Sequence, residues 1–236
     1  IFEKMPIVGG NTSKSSAGMN ASETKFQKEA GIEDSNDKFY EETFKGGKEK
    51  NDPELLRFLV DHSASAIDWL DSMNIKLDNL TTTGGMSVKR THRPSDGSAV
   101  GGYLVEGLYA NVTERKIPTF VNSDVTEITE ENGAVSGVKV TVEGQEKTIK
   151  SKAVVLATGG FGANLDMVSQ LKPELKGFVT TNQEGSQGDG IKMAEKLGAQ
   201  TVDMDQIQIH PSVEQKTSYL ITEAVRGEGA ILINQE

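Results

Sequence analysis

The 236-residue chain carries 25 Lys and Arg against 35 Asp and Glu, a formal net charge of −10, and no cysteine. That charge argues against a general electrostatic attraction to nucleic acid, and the missing thiols exclude disulfides, thiolate metal sites and cysteine nucleophiles. With 35% hydrophobic residues and a mean hydropathy of −0.43, the composition is that of a folded globular chain, and no apolar run is long enough to span a bilayer.

From the amino end, Ile1 and Phe2 read as the last residues of a short strand closed by Glu3. In a dinucleotide-binding unit the second strand ends in such an acid, whose carboxylate accepts hydrogen bonds from a ribose hydroxyl. A surface Glu after an edge strand is the plain alternative. Gly9 and Gly10 then let the backbone come close to a bulky ligand. Because the chain opens in mid-strand and stops just after the apolar run 230–233, we expect a piece of a longer protein, whose compartment the sequence does not disclose.

Segments 22–30 and 37–45 read as short helices, the second capped by Ser35 or Asn36. Asp52, Pro53 and Glu54 start a longer helix reaching Asn74, with Leu55, Leu59, Ala66 and Leu70 on its apolar side. His62 and Trp69 are expected to be packing or half-exposed residues of that helix. From 79 to 102 the chain is rich in Thr, Ser and Gly, and Lys89, Arg90, His92 and Arg93 there belong either to a solvated loop or to a contact with phosphates or carboxylates. Residues 100–115 read as a helix with Leu104, Leu108 and Val112 on one face and Gly101-Gly102 at a close approach.

Residues 119–121 open a run of strands, 125–129, 135–142 and 147–150, joined at Asn132-Gly133 and Glu143-Gly144 into a β-meander. Ala153-Val154-Val155-Leu156 is a continuous apolar run suited to a strand buried on both faces. It empties into Ala157-Thr158-Gly159-Gly160, either an ordinary turn or backbone laid against a ligand at the carboxyl edge of a parallel sheet. Gly188 and Gly190 flank Asp189 at the start of a helix carrying Ile191, Met193, Ala194 and Leu197. Asp189 is there an N-cap or a carboxylate offered to a cofactor hydroxyl. Taken alone, His210 before Pro211 reads as a satisfied loop histidine, Thr222-Glu223 as a helix or turn start, and Arg226 as a surface ion-pair member.

Together these segments resemble the flavoprotein subunit of the fumarate reductase and succinate dehydrogenase superfamily, most nearly its soluble flavocytochrome c type. The resemblance rests on Glu3-Lys4, Gly9-Gly10-Asn11-Thr12, Ser16-Ala17-Gly18-Met19, His92-Arg93-Pro94, Ala157-Thr158-Gly159-Gly160-Phe161, Thr181-Asn182-Gln183, Gly188-Asp189-Gly190, His210-Pro211 and 222–227, and spans essentially the whole chain. It implies an α/β fold. A Rossmann-like FAD-binding domain with a parallel sheet and the β-meander would occupy 1–203, its first strand and GxGxxG turn lying ahead of Ile1. The start of an α+β capping domain would occupy 204–236, with 202–208 as a hinge.

By the same resemblance Glu3, with Lys4 beside it, holds the adenosine ribose of FAD. The loop containing Gly10, Asn11, Thr12, Ser16, Ala17 and Gly18 runs under the flavin and pyrophosphate. Val125, Ala157, Thr158 and Gly159 sit by the adenine end, and Asp189 lies near the ribityl chain or ring. Asn11 stands where membrane-bound members carry the His that attaches FAD covalently, and residues 1–61 contain no His, which implies non-covalent FAD.

The implied activity is FAD-dependent reduction of a short unsaturated dicarboxylate, fumarate to succinate, by hydride from flavin N5. Such chemistry needs hydrogen-bond donors on the carboxylate that gathers charge and an acid for the adjacent carbon. The resemblance assigns carboxylate binding to His210 and Thr222 and a proton relay to Glu223 and Arg226, feeding an arginine acid beyond Glu236, so the chain alone is expected to be inactive. Another acrylate-type acid or a ketosteroid is the alternative substrate, and an inactive structural fragment the alternative to an enzyme. The implied partners are the dicarboxylate and an electron donor outside the chain, dependent on haem, FMN or NADH, with no nucleic acid, metal or transmembrane segment.

Overall fold

The computed structural model describes residues 1–221 together with Ala230, Ile231 and Ile233. The chain forms two compact units, a helical one built on Thr12–Lys116 and one built on Ile1–Asn11 and Ile117–Ile221, within which the expected boundary at 203 falls.

In the helical unit, β1 (Met19–Asn20) leads to α1 (Lys25–Glu29). Thr24 opens α1 with a capping box: its side chain accepts the Gln27 N–H, and the Gln27 side chain accepts the Thr24 N–H. The Ser35 hydroxyl caps α2 (Asn36–Gly46), and the Asp52 carboxylate caps α3 (Pro53–Asp61) by accepting the N–H groups of Glu54 and Leu55 at 3.0 Å. After α3 come α4 (Ser63–Asp71), β2 (Asn79–Thr81), β3 (Thr91–Arg93) and α5 (Val100–Glu114). A core of Ala21, Phe26, Ile67, Leu70, Ile75, Leu77 and Val100 closes the unit.

The helix expected to run to Asn74 is thus two helices, broken at His62 where φ is −101° and ψ is 0°. Its buried side also differs from the expected one. Leu56, Val60, Ser63, Ile67 and Leu70 are buried, whereas Leu55 and Leu59 are 70% and 56% exposed. The stripes 56/60/63/67/70 and 55/59/62/66/69 share one spacing one residue apart, and periodicity alone does not say which of them meets the core.

The segment 79–102 is not all loop, because β1, β3 and β2 form an antiparallel sheet in that order. Two of its four basic-capable side chains are interior. Arg90 is fully buried: Nε and Nη2 donate to the two oxygens of Asp34 at 2.8 and 2.6 Å, Nη1 donates to Glu42 at 2.7 Å, and the guanidinium lies over the Phe39 ring. His92 is buried between Thr24 Oγ1 at 2.8 Å and the Arg90 carbonyl at 2.9 Å. Desolvation by burial holds the His92 pKa below its ordinary value, so the ring is neutral at pH 7, Nδ1 donating to the carbonyl and Nε2 accepting from Thr24. Arg93 donates to the Ser98 carbonyl at 3.2 Å, and Lys89 is exposed. Arg90 and His92 therefore serve packing; partners from distant segments, invisible as a local pattern, claim them.

The other unit begins with a parallel bridge between Phe2 and Phe120. Glu3 N–H donates to the Phe120 carbonyl at 2.8 Å, Phe120 N–H to that of Ile1 at 2.9 Å, and the two rings stack with centroids 5.4 Å apart. Among the described residues this bridge is the whole of the parallel pairing. The meander follows as β4 (Ser123–Glu131), β5 (Ala134–Val142) and β6 (Gln145–Lys150), with Ile128, Val138 and Val140 buried. Both hairpin turns have positive φ at their two central residues, 53° and 77° at Asn132-Gly133, 52° and 74° at Glu143-Gly144, as a tight antiparallel turn demands.

The apolar run 153–156 forms no strand, and Val155 is 89% exposed. A strand buried on both faces needs ladder partners at its edges, and among the described residues this run has none. Residues 230, 231 and 233 are likewise outside any strand. The unit continues with α6 (Leu165–Leu171), capped by Asn164, then α7 (Asp189–Lys196) and a hairpin of β7 (Val213–Glu214) and β8 (Tyr219–Leu220).

The neighbours Leu55 and Leu56 separate the two helix stripes. In urea unfolding Leu56→Ala is expected to cost about 2–5 kcal/mol and Leu55→Ala no more than about 0.5 kcal/mol; comparable losses would mean that the helix buries the other face. At Asp34, burial pushes the carboxyl pKa up, but the hydrogen bonds from Arg90 and Gln27 and the Arg90 charge outweigh it and hold it below the ordinary value. A depressed folded-state pKa contributes stability that is complete above about pH 4 and is lost as pH falls through the folded value. Asp34→Asn should thus lower stability by roughly 3–5 kcal/mol at neutral pH, with the gap closing on acidification; a gap independent of pH would exclude this linkage.

Candidate functional site

Glu3 is held on both sides by backbone bonds, its N–H on the Phe120 carbonyl and its carbonyl under the Ser123 N–H at 2.9 Å. Its carboxylate Oε1 accepts the Met5 N–H at 2.7 Å, so the chain two residues on orients the group. Oε2 has no partner among the described residues, which is what a ribose ligand requires. The next residue, Lys4, donates to Asp189 Oδ2 at 2.7 Å. Burial pulls the Lys4 pKa down, but the hydrogen bond to Asp189 and the charges of Asp124 and Asp189 outweigh it and leave it above its ordinary value.

Asp189 is the first residue of α7 and not its N-cap, a place taken by Gly188 at φ 80°. Behind it Gly190 lies so close to Thr158 that a Cβ would come within 2.0 Å of Thr158 Oγ1, and Gly188 N–H donates to the Gly160 carbonyl at 3.1 Å. The turn 157–160 and the start of α7 are therefore one packed piece. On it Ala157, Thr158 and Gly159 are exposed, their N–H groups without acceptors among the described residues, a row of donors for an anionic or purine ligand. Val125 is half-buried in β4 opposite Val140.

Asn11 joins this piece. Its Nδ2 donates to Asn182 Oδ1 at 2.6 Å and Ser186 Oγ at 3.2 Å, and its Oδ1 accepts the Gln183 N–H at 2.7 Å. Both amide hydrogens of Asn11 are thereby engaged in tying the Gly9-Gly10 turn to residues 182–186. Ser186, 1% exposed and also bonded to Gln183 Nε2, is a supporting residue that sequence reasoning missed. Its one signal was a hydroxyl inside the glycine-flanked run 185–190.

In the helical unit, Thr12 opens a 3-10 turn (Thr12–Lys14), and the loop 12–18 is anchored at both ends. Gly101 N–H donates to the Ser15 carbonyl at 3.0 Å, and a Cβ on Gly101 would lie 2.0 Å from the Thr12 carbonyl oxygen. At the other end a Cβ on Gly18 would lie 2.5 Å from the His92 carbonyl oxygen. Ser16 and Ala17 are held exposed between these anchors.

His210 is half-buried, and its Nδ1 accepts the Ser212 N–H at 3.4 Å. Ser212 in turn is tied to Ile221 by two bonds, Oγ to the Ile221 carbonyl at 3.0 Å and Ile221 N–H to the Ser212 carbonyl at 2.9 Å. Thr222, Glu223 and Arg226 lie outside the described residues. Among the described residues no cluster of His, Asp and Glu is able to hold a metal, and no helix is long and apolar enough to cross a membrane.

The chain matches over residues 1–236 the family described as FAD binding domain. It is 55% identical over 237 residues to the NADH:fumarate oxidoreductase of Klebsiella pneumoniae (strain 342), covering all of this chain and 26% of that protein. The fumarate reductase (cytochrome) of Shewanella frigidimarina is 43% identical over 240 residues, again covering all of this chain and 42% of the relative. Among solved structures, the open conformation of a flavocytochrome c3 fumarate reductase superposes with a TM-score of 0.92 at 38% identity, over 99% of this chain and 42% of that one. The chain thus spans less than half the length of these relatives.

The Gly190 contact gives a test of the packed piece. Gly190→Ala drives a methyl into Thr158 and is expected to weaken FAD binding at least tenfold, about 1.4 kcal/mol, in a flavin fluorescence titration. Adding Thr158→Gly, which removes the opposing side chain, should restore part of the loss; absence of any loss in the single variant would show that the contact is slack.

Proposed function

Because the chain belongs to the FAD binding domain family, we propose that it is the flavin-binding part of an FAD-dependent reductase of a short unsaturated dicarboxylate, converting fumarate to succinate. The observation that carries this reading is the joining of Glu3, the turn 157–160 and the start of α7 through the Lys4–Asp189 pair and the Gly190–Thr158 contact. FAD fits the residues present: an oriented carboxylate for a ribose hydroxyl, a row of exposed N–H donors, and an exposed loop pinned by its backbone. The cofactor-binding residues are then Glu3, Lys4, Gly10, Asn11, Thr12, Ser16, Ala17, Gly18, Val125, Ala157, Thr158, Gly159 and Asp189. Asn11 offers an amide where covalent attachment uses an imidazole, so the cofactor is held without a covalent bond.

When bound, FAD supplies a hydride at flavin N5. The chain supplies the complementary groups. An imidazole N–H of His210 and the Thr222 hydroxyl donate to a substrate carboxylate, drawing charge off the double bond as it is reduced. Glu223 and Arg226 relay a proton toward the carbon beside the one that takes hydride. Residues 204–236 begin a capping domain that excludes water from the site, with 202–208 as its hinge. An electron donor dependent on haem, FMN or NADH lies outside the chain.

The test uses the flavin-loaded protein with its full complement of domains. Dye-reduced flavin should be reoxidised by fumarate, and acid precipitation should leave the flavin in the supernatant. His210→Ala, which deletes one hydrogen bond to a charged group worth about 1.5–3 kcal/mol, should raise the fumarate KM roughly 10- to 100-fold. Flavin that stays reduced in fumarate would move the substrate to another acrylate-type acid or a ketosteroid, and an unchanged KM would remove His210 from the carboxylate site.

A further inference from the structure

Helices α3 and α4 carry three faces where a surface helix ordinarily has two. Leu56, Val60, Ile67 and Leu70 are buried, and Arg57, Asp61 and Asp68 form a charged face. The third face is apolar and open: Leu55 is 70%, Phe58 64%, Leu59 56% and Trp69 57% exposed, with the His62 ring stacked on Phe58 at 4.1 Å. With Ala66 these positions repeat at i, i+3, i+4, i+7, i+11 and i+14, the spacing of a face that a helix turns toward a neighbour. Beside it runs an open groove of about 610 Å³ whose lining includes Tyr40, Glu54, Phe58, Asp61 and His62. Scattered apolar residues are ordinary on a surface; a continuous stripe beside a groove marks a docking site.

The rim decides what docks there. Asp52, Glu54, Asp61, Asp68 and Asp71 are acidic; Arg57 pairs with Asp37 and Asp61 and Lys25 with Asp68 and Asp71, so the carboxylates outnumber the cations and the rim is net negative. A second copy would bring this acidic rim and a second net charge of −10 against the first, which disfavours self-association. We propose that the outer stripe of α3 and α4 docks a cationic amphipathic helix. Leucine-class side chains of the partner pack on Leu55, Phe58, Leu59 and Trp69, and flanking Lys or Arg residues face the acidic rim.

Trp69 is the only tryptophan of the chain and stands on the stripe, so it reports the event. The probe is a synthetic three-heptad peptide with Leu at the a and d positions and Lys elsewhere, added to the flavin-loaded protein, with Trp69 emission isolated by subtracting the Trp69→Phe variant. The emission is expected to move to the blue, the shift weakening toward ~0.5 M salt as screening sets in, while a Leu/Glu peptide of the same spacing gives none. Phe58→Asp should weaken the peptide at least tenfold and leave the flavin spectrum and fumarate turnover unchanged. A response to both peptides alike, or to neither, overturns the proposal. So does Trp69 emission that is already blue and shielded from acrylamide without peptide, or a two-copy mass in light scattering that Phe58→Asp reduces to one.

Discussion

The segments that would meet the cofactor are fixed by backbone contacts that leave no room for a side chain. Gly190 rests on Thr158, Gly101 on the Thr12 carbonyl and Gly18 on the His92 carbonyl, each closer than a Cβ permits. Such contacts convert flexible loops into parts of a scaffold, because a neighbour at van der Waals distance on the backbone itself removes the freedom a side chain would have retained. A ligand site assembled from turns and loop ends needs this kind of anchoring to hold its geometry, and the glycines supply it where a helix start or a neighbouring strand comes within reach.

Burial sorts the charged residues in the same way. Lys4–Asp189 and Arg90–Asp34 are both hydrogen-bonded pairs at 2.6–2.7 Å. The first is about a third exposed on each side chain, screened by solvent and worth little to stability, so its effect is to place Glu3 beside the start of α7. The second is sealed, with Asp34 at 0% and Arg90 at 1% side-chain exposure, and removing either partner strands a charge in the interior. Two ion pairs of one chemistry thus do unlike things, one aligning segments of the candidate site at the surface and the other locking the residue ahead of the α2 cap to the residue before β3.

What was legible in the sequence was local. The Asn132-Gly133 turn, the Ser35 and Asp52 caps and the meander between its two tight turns all depend on residues a few positions apart, and each stands where expected. The choice of faces was not local. On α3 and α4 two stripes of equal period compete, and the burying one is decided from elsewhere in the unit, by Phe39 at α3 and by Phe26, Ile75, Leu77 and Val100 at α4. Arg90 and His92 looked like loop cations because their partners, Asp34, Glu42 and Thr24, come from segments 48 to 68 residues away. The run 153–156 has the composition of a doubly buried strand, yet composition does not provide ladder partners. Within the candidate site the proposed ligand positions came from motifs, whereas the supports seen in the structure, Ser186 under Asn11 and Thr158 under Gly190, carried no such signal.

The helical unit also gives the proposed docking a physical route to the 12–18 loop. The outer stripe and the core stripe are adjacent faces of the same two helices, and the core stripe ends on Ile67 and Leu70, which share one packed cluster with Val100. Val100 is the first residue of α5, and the next residue, Gly101, is the one whose backbone carries the 12–18 loop. A partner that shifts α4 by a few tenths of an ångström must be answered in that cluster, since a close-packed interior has no void to absorb the motion, and the answer reaches Gly101 within one residue. The proposed docking at Trp69 on α4 would thus be coupled to the 12–18 loop through that cluster, whereas Leu55 and Phe58 on α3 back onto a separate cluster of Phe39, Leu56 and Val60.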